Sequence, residues 1–333
     1  MKQKAFPLIL ILLLCMTTYG TFVWGQIPWS ELWEGASLRF SGDSKAWNAL
    51  LDERIPRLIV LICSGASLAV SGAIMQSLFH NPLASPGVLG ITAGGSLSVL
   101  FVFLFGLHAL FPLAIPLAAI LGSLITLLVV VALAKAQGPH HTTHLILIGI
   151  AISTILLAIH GAVLYCFRDH WTFVQMMTEW QAGSTYNRNW EHVHMQLPLT
   201  LVGLYGAWTY RYEMNLLALG DEEARSLGVN VSPVRWRLFL CVALLSGGAL
   251  AATGTIAFFG LVLPHLVRTI EGPNHKTLIP LCILTGGTFL PTLDIVMRML
   301  HLQFLTIGNV SGVIGGIFFF ILLYQSHMRR SYA

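Results

Sequence analysis

The sequence predicts an all-α polytopic membrane protein of about ten transmembrane helices, on three observations. Of its 333 residues, 56% are hydrophobic and only 10% charged, where a soluble domain carries about 25% charged residues. The apolar residues fall in uncharged runs such as Leu58 to Phe79, and about 20 such residues cross the hydrocarbon core of a bilayer. Those runs also hold small residues at close intervals, among them Gly65, Ala66, Ser67, Ser71 and Gly72. Small residues let neighbouring helices approach closely in lipid.

The first span is expected at 7–25. Met1-Lys2-Gln3-Lys4 ahead of an apolar run has the outline of a signal peptide, but no small-x-small cleavage site follows it. Leu14 precedes Cys15, where a lipoprotein site needs a small residue, so a retained span is expected. Residues 26–56 form a loop whose Trp29, Trp33 and Trp47 suit an interfacial helix. Arg54-Ile55-Pro56-Arg57 leads into the second span, 57–79, and His80 to Gly87 closes it with two prolines and a glycine, a shaped turn. Spans at 88–106, 112–134 and 144–166 follow. In 167–191, Trp171, Phe173, Met176, Met177 and Trp180 predict a short amphipathic surface helix. After a span at 192–210, residues 211–231 hold a predicted helix over 216–228, with acids near its start and Gly228 at its end. The last spans are 232–252, 255–270, 277–297 and 305–325, the first of the latter three after 252 being short enough to be partly re-entrant. The whole of 1–333 reads as one domain without low-complexity stretches.

Charge sets the orientation. With both termini cytoplasmic, inner segments hold 11 of the 18 basic residues and outer segments 7, the expected bias. Nine of the fourteen acids fall outside. The net charge of +4 is spread along the chain, which speaks for basic cytoplasmic loops and against a nucleic-acid partner.

Several chemistries are missing. No GxxxxGK[ST] phosphate loop, HExxH or GxSxG occurs, so nucleotide binding by that loop and the usual membrane hydrolase signatures are excluded. Asp294 is nearly the only carboxylate within a span. Ion-coupled carriers usually need intramembrane ionisable groups, so the energy is expected from an ATPase partner. A secondary carrier or channel for a small solute is the alternative reading, and a membrane enzyme a weaker one for want of a paired nucleophile and base. The 216–228 helix is then either a docking element for that ATPase or an ordinary inter-span loop.

Other clusters carry two readings each. Arg54, Arg57 and Arg298 are interfacial anchors or a basic rim on the outer mouth, and Asp294 and Arg298 are spaced to pair on one helix face. His140, His141 and His144 lack a further metal ligand and follow Gly138-Pro139, so no metal site is expected. Cys15, Cys63, Cys166, Cys241 and Cys282 are too scattered for a disulfide framework and read as buried packing residues. Gly308, Gly312 and Gly316, with Gly315, form overlapping GxxxG steps for close packing, within the chain or with another copy.

The following residues carry a family resemblance. Arg54-x-Pro56-Arg57, Gly65-Ala66 to Ser71-Gly72-Ala73-x-Met75-Gln76, and Asn81-Pro82-Leu83-Ala84-x-Pro86-Gly87-x-Leu89-Gly90 resemble FecCD-type permeases. So do Leu217-Ala218-Leu219-Gly220 to Leu227-Gly228-Val229, the run Gly254 to Arg268, and Asp294-x-x-x-Arg298. The similarity spans about residue 50 to the C-terminus, and the motifs are specific in combination.

The resemblance implies the type II ABC importer permease fold in the cell inner membrane, carrying a ferric siderophore, haem or cobalamin by alternating access. It implies a second permease subunit, identical or paralogous, two cytoplasmic ATPases that bind ATP and Mg, and a periplasmic or lipid-anchored binding protein. No cofactor is expected on this chain. By position, Arg54, Arg57 and Arg298 match arginines that receive glutamates of the binding protein. Asn81, Leu83, Thr142 and Thr143 match a cytoplasmic gate, and Leu219, Gly220, Glu222, Glu223, Ala224, Arg225, Leu227 and Gly228 match the ATPase-coupling segment, where Glu222-Glu223-Ala224 is similar to an EAA loop. Pathway-lining candidates, chosen on polarity and position, are Ser67, Ser71, Thr92, Ser153, His160 and Asn309, with a buried, hydrogen-bonded histidine the favoured reading of His160. The chain departs from the family before its last span: Phe304 to Ser311 lacks the usual acid and proline, and Ile317 replaces a later proline.

Overall fold

A computed structural model describes residues 2–24, 29–41, 47–111, 113–136, 141–186, 188–302 and 304–331. Among them every regular element is helical. In chain order they are α1 (Lys2–Val23), α2 (Trp29–Phe40), α3 (Ile55–Leu78), α4 (Ile91–Leu104), α5 (Leu107–Leu110), α6 (Ala114–Ala136), α7 (His141–Cys166) and α8 (Trp171–Gln181). They continue as α9 (Trp190–Thr209), α10 (Arg211–Leu217), α11 (Asp221–Ser226), α12 (Val231–Thr253), α13 (Phe259–Glu271), α14 (His275–Met299) and α15 (Ile307–Ser331). A π-helical turn at Leu50–Arg54 leads into α3, and a 3-10 turn at Pro86–Leu89 leads towards α4.

A helix stands at each of the ten expected spans. Six segments, within α1, α6, α7, α12 and α14 and over Leu50–Leu78, are long and apolar enough to cross a bilayer, while α4 and Ile307–Ile321 are shorter apolar helices. The expected start of the eighth span is corrected: Thr255 to Ala257 are not helical and α13 begins only at Phe259. At 13 residues and 1.5 Å per residue, α13 covers only about 20 Å of a core about 30 Å thick.

The bundle is built around α3. Its neighbours α12, α13, α14 and α9 bury it almost throughout. Close approach makes this possible: a Cβ on Gly65 would lie 2.0 Å from the Gly286 carbonyl oxygen of α14, and one on Gly72 would lie 1.6 Å from that of Gly260 in α13. Lipid tails are as apolar as leucine, so such packing, and not water exclusion, holds spans together. By contrast α1 and α7 expose most of their apolar surface, including Ile9, Leu12, Leu147, Ile155 and Leu157. Both predicted surface helices exist as α2 and α8, and α8 anchors itself with buried Met177 and Trp180. Cys63, Cys241 and Cys282 are buried as expected, whereas Cys15 and Cys166 are exposed on the outward faces of α1 and α7.

The predicted helix over 216–228 is replaced by two helices, α10 and α11. Gly220 separates them with φ +132°, a backbone that L side chains rarely adopt. Asp221, Glu222 and Glu223 form the first turn of α11, where carboxylates face the positive end of the helix dipole. Its end is a Schellman motif: Gly228 N–H donates to Arg225 O at 3.0 Å and Val229 N–H to Ala224 O at 2.9 Å, with Gly228 at φ +87°.

Candidate functional site

The end that charge bias assigns to the outside holds a cavity of about 390 Å³. Arg54, Arg57 and Arg298 all line it, although they come from the π-turn, α3 and α14. Arg57 Nη2 lies 2.6 Å from Asp294 Oδ1 and 3.1 Å from Thr185 Oγ1, and the Thr185 hydroxyl donates to Asp294 Oδ1 at 2.8 Å. Arg298 Nη2 is 3.0 Å from Asp294 Oδ2, the expected i, i+4 pair. Asp294 is therefore a buried counter-ion joining α3, α14 and the linker after α8. Arg54 is buried, and its Nη1 donates to the Phe22 carbonyl at 2.5 Å, capping the end of α1. The lining groups Arg54, Arg57 and Arg298 against Glu53 and Asp294 leave a net positive mouth. Arg57 and Arg298 are thus ion-paired within the chain and not a free rim.

Sequence reasoning passed over Arg188. It donates from Nη2 to Ser184 O at 2.9 Å, beside the same cavity. Burial, with the nearby Arg57 charge, pushes its pKa down to about 10, so it is still a cation at neutral pH. Thr306 and Ile307, from the atypical stretch, also line the cavity, and Thr306 Oγ1 donates to Ala182 O at 2.8 Å.

Two further concavities border the non-helical segment Gly254 to Phe258. One, of about 300 Å³, is lined by Thr92 together with Ser85, Gly87, Ser246 and Thr255. The other, of about 480 Å³, is lined by Asn309, Thr255, Gln181 and Gly312. Irregular backbone at membrane depth is tolerated where it borders protein or a water-filled cavity. Two lining candidates, Thr92 and Asn309, thus face open space. Ser67 and Ser71 are corrected. Ser67 is buried and hydrogen-bonded to Thr200 Oγ1 at 3.1 Å, and Ser71 is buried and donates to Leu68 O at 2.9 Å. His160 is buried on α7 in line with its favoured reading, and half-buried Ser153 donates back to Gly149 O at 2.7 Å and lies 3.4 Å from the carbonyl of Gly87, which lines the first concavity. The glycine series divides as well. Gly308 packs against Ala182 and Thr255, and Gly315 against Phe258, while a Cβ on Gly312 or Gly316 would meet nothing within 4 Å.

At the other end, Asn81 Oδ1 accepts from Leu83 N–H at 2.9 Å, an Asx turn that holds Leu83 outward at 41% exposure. Thr142 and Thr143 fall in the first turn of α7, and their side chains lie outside the described residues. In the coupling segment Leu219 and Leu227 are 63% and 58% exposed, and Glu222, Glu223, Arg225 and Gly228 are exposed too. Ala224 is fully buried and packs beneath α11, so it positions this surface and is not part of it. His140 and the side chain of His141 lie outside the described residues, among which no group of three or more His, Cys, Asp or Glu is placed to hold a metal.

The FecCD transport family matches residues 8–325. The hemin transport system permease HmuU of Yersinia pestis is 35% identical, over 97% of this chain and 96% of that protein. The cobalamin import permease BtuC of Halobacterium salinarum is 33% identical over 92% and 82%, and the iron(III) dicitrate permease FecD of Escherichia coli 34% over 89% and 90%. A solved structure described as an inward-facing conformation of a metal-chelate type ABC transporter superposes with a TM-score of 0.82 at 28% identity, over 97% of this chain and 99% of that one.

Proposed function

The chain belongs to the FecCD transport family, and from that premise we propose that it carries a metal chelate of the siderophore, haem or cobalamin class inward across the cell inner membrane. It is a multi-pass permease subunit of an ABC importer, not an enzyme, and works with an ATPase and a substrate-binding protein. In our reading two copies, or one copy and a paralogue, join two ATPases that hold all the ATP and Mg, and both termini are cytoplasmic. This chain binds no cofactor of its own.

The observation that supports the import direction is the convergence of Arg54, Arg57 and Arg298 on one positive cavity, at the end that charge bias assigns to the outside. Such a mouth suits carboxylates of a binding protein, since complementary charge speeds encounter and fixes register. Leu219, Glu222, Glu223, Arg225 and Leu227 offer the exposed surface that an ATPase would grip. Asn81, Leu83, Thr142 and Thr143 are assigned to the inner gate, and Thr92 and Asn309 to the passage. The test is reconstituted uptake in proteoliposomes with the partner proteins, offering a ferric siderophore, haem and cobalamin side by side. ATP-dependent uptake of one is expected. No uptake of any, with ATP hydrolysis that the binding protein does not stimulate, would overturn the reading.

A further inference from the structure

The two short helices of the coupling segment share one core but have different polar ties. α11 is tied to α12, because Arg235 Nη2 contacts Asp221 Oδ1 at 2.5 Å. α10 is tied elsewhere. Its Met214 and Leu217 are buried in the main core, which also takes Ala224 of α11, and its polar groups reach α14, α3 and the turn after α3. The junction between α10 and α11 is Ala218 to Gly220, where Gly220 has φ +132°.

The ties of α10 form a relay whose proton positions follow from the geometry. Asn215 Oδ1 accepts from the backbone N–H of His275 at 2.8 Å, which fixes the orientation of that amide. His275 Nδ1 lies 2.7 Å from the same oxygen, so Nδ1 carries a hydrogen. In the neutral ring, Nε2 is then an acceptor, and it faces the Ser77 hydroxyl at 2.8 Å. Asn215 Nδ2 completes the chain by donating to Asn274 Oδ1 at 3.0 Å. Ser77 and His275 are both buried. Three residues beyond Ser77, His80 holds φ +49° and its Nε2 contacts the Leu217 carbonyl, so the turn with Asn81 and Leu83 is latched to the last turn of α10.

We propose that Asn215 and His275 are positioning residues that make α10, the inner end of α3 and the 80–84 turn one rigid body, so that a push on the coupling segment moves the gate. This rests on the permease reading above. Buried polar chains are costly to break and have few alternative partners, so α10 drags α3 and the turn with it.

The test uses the complete permease–ATPase complex, with native cysteines replaced and Leu83→Cys as reporter. The modification rate by a water-soluble maleimide is compared between the nucleotide-free complex and one trapped with ATP and orthovanadate, so that no cargo is needed. With the relay intact the rate changes on trapping. In His275→Leu and in Asn215→Leu that change is expected to shrink roughly 3- to 30-fold. The double variant is expected to be no worse than either, and Thr269→Ala, which removes an exposed hydroxyl of α13 outside the relay, to behave as wild type. Where His275→Leu does not assemble, Ser77→Ala removes only the hydroxyl, which faces both His275 and, at 3.3 Å, the Met214 carbonyl of α10, and so loosens the same link between α3 and α10. A change that persists within twofold in the assembled variants, even with a lowered melting temperature, would reduce the relay to a structural contact and overturn the proposal. A wild-type complex indifferent to nucleotide would overturn the permease reading, and the relay with it.

Discussion

Asp294 decides the character of the outer mouth. It is 3% exposed and pairs with two arginines whose side chains are 13% and 14% exposed. Removing one partner of a buried ion pair leaves an uncompensated charge. Asp294→Asn keeps the shape and leaves Arg57 and Arg298 facing each other. It is expected to cost about 3 kcal/mol, seen as a lower melting temperature of the solubilised protein. The same geometry shows how docking has to be tested. A glutamate at position 57 would sit against Asp294 and confound docking with folding. Arg298→Gln and Arg54→Gln instead remove charge while keeping a donor, and each is expected to slow binding-protein association and weaken its salt dependence in a flotation or surface assay. The pairing of Arg298 with Asp294 was legible from spacing alone, because i and i+4 share a helix face. The bond from Arg57 spans 237 positions, and no local pattern encodes it. Polarity was a poor guide to the passage for a related reason: Ser67 is as polar as Thr92, but its partner Thr200 lies on the next helix and not across a cavity.

At the scale of elements, glycine marks two different situations that sequence cannot separate. Gly72 and Gly312 both sit in small-residue patterns. A Cβ on Gly72 would run into the backbone of Gly260, whereas one on Gly312 meets open space. Gly72→Ala is therefore expected to destabilise by about 2 kcal/mol or more, and Gly312→Ala to leave the stability of the isolated chain within about 0.5 kcal/mol of wild type, both read from thermal unfolding. At Gly228 nothing lies nearby either, but φ is +87°. Gly228→Ala should cost about 1–2 kcal/mol from backbone strain alone, fraying the end of α11. It should lower ATP-driven transport more than complex assembly, as measured by uptake against co-purified ATPase. Periodicity revealed where α3, α6, α12 and α14 run, because long apolar stretches have only one solution in lipid. It merged α10 with α11, because Leu216, Leu217 and Leu219 continue an apolar pattern across a break that only the backbone of Gly220 discloses.

For the whole molecule, the two candidate ends of the pathway must lie on opposite sides of the membrane, and charge bias is the present warrant for which is which. Inner segments hold 11 of the 18 basic residues, a margin small enough to demand a direct measurement. The structure supplies suitable reporters. Tyr186, on the rim of the arginine cavity, is 67% exposed, and Leu227, at the end of α11, is 58% exposed. With Cys15 and Cys166 replaced, since both are exposed, Tyr186→Cys and Leu227→Cys can each be labelled with an impermeant maleimide in right-side-out and inverted vesicles. Tyr186→Cys is expected to react in right-side-out vesicles and Leu227→Cys only in inverted ones. The opposite pattern would place the arginine mouth in the cytoplasm, where no extracytoplasmic binding protein could reach it. The direction of transport inferred from that mouth would then fall, even though the fold and the family would stand.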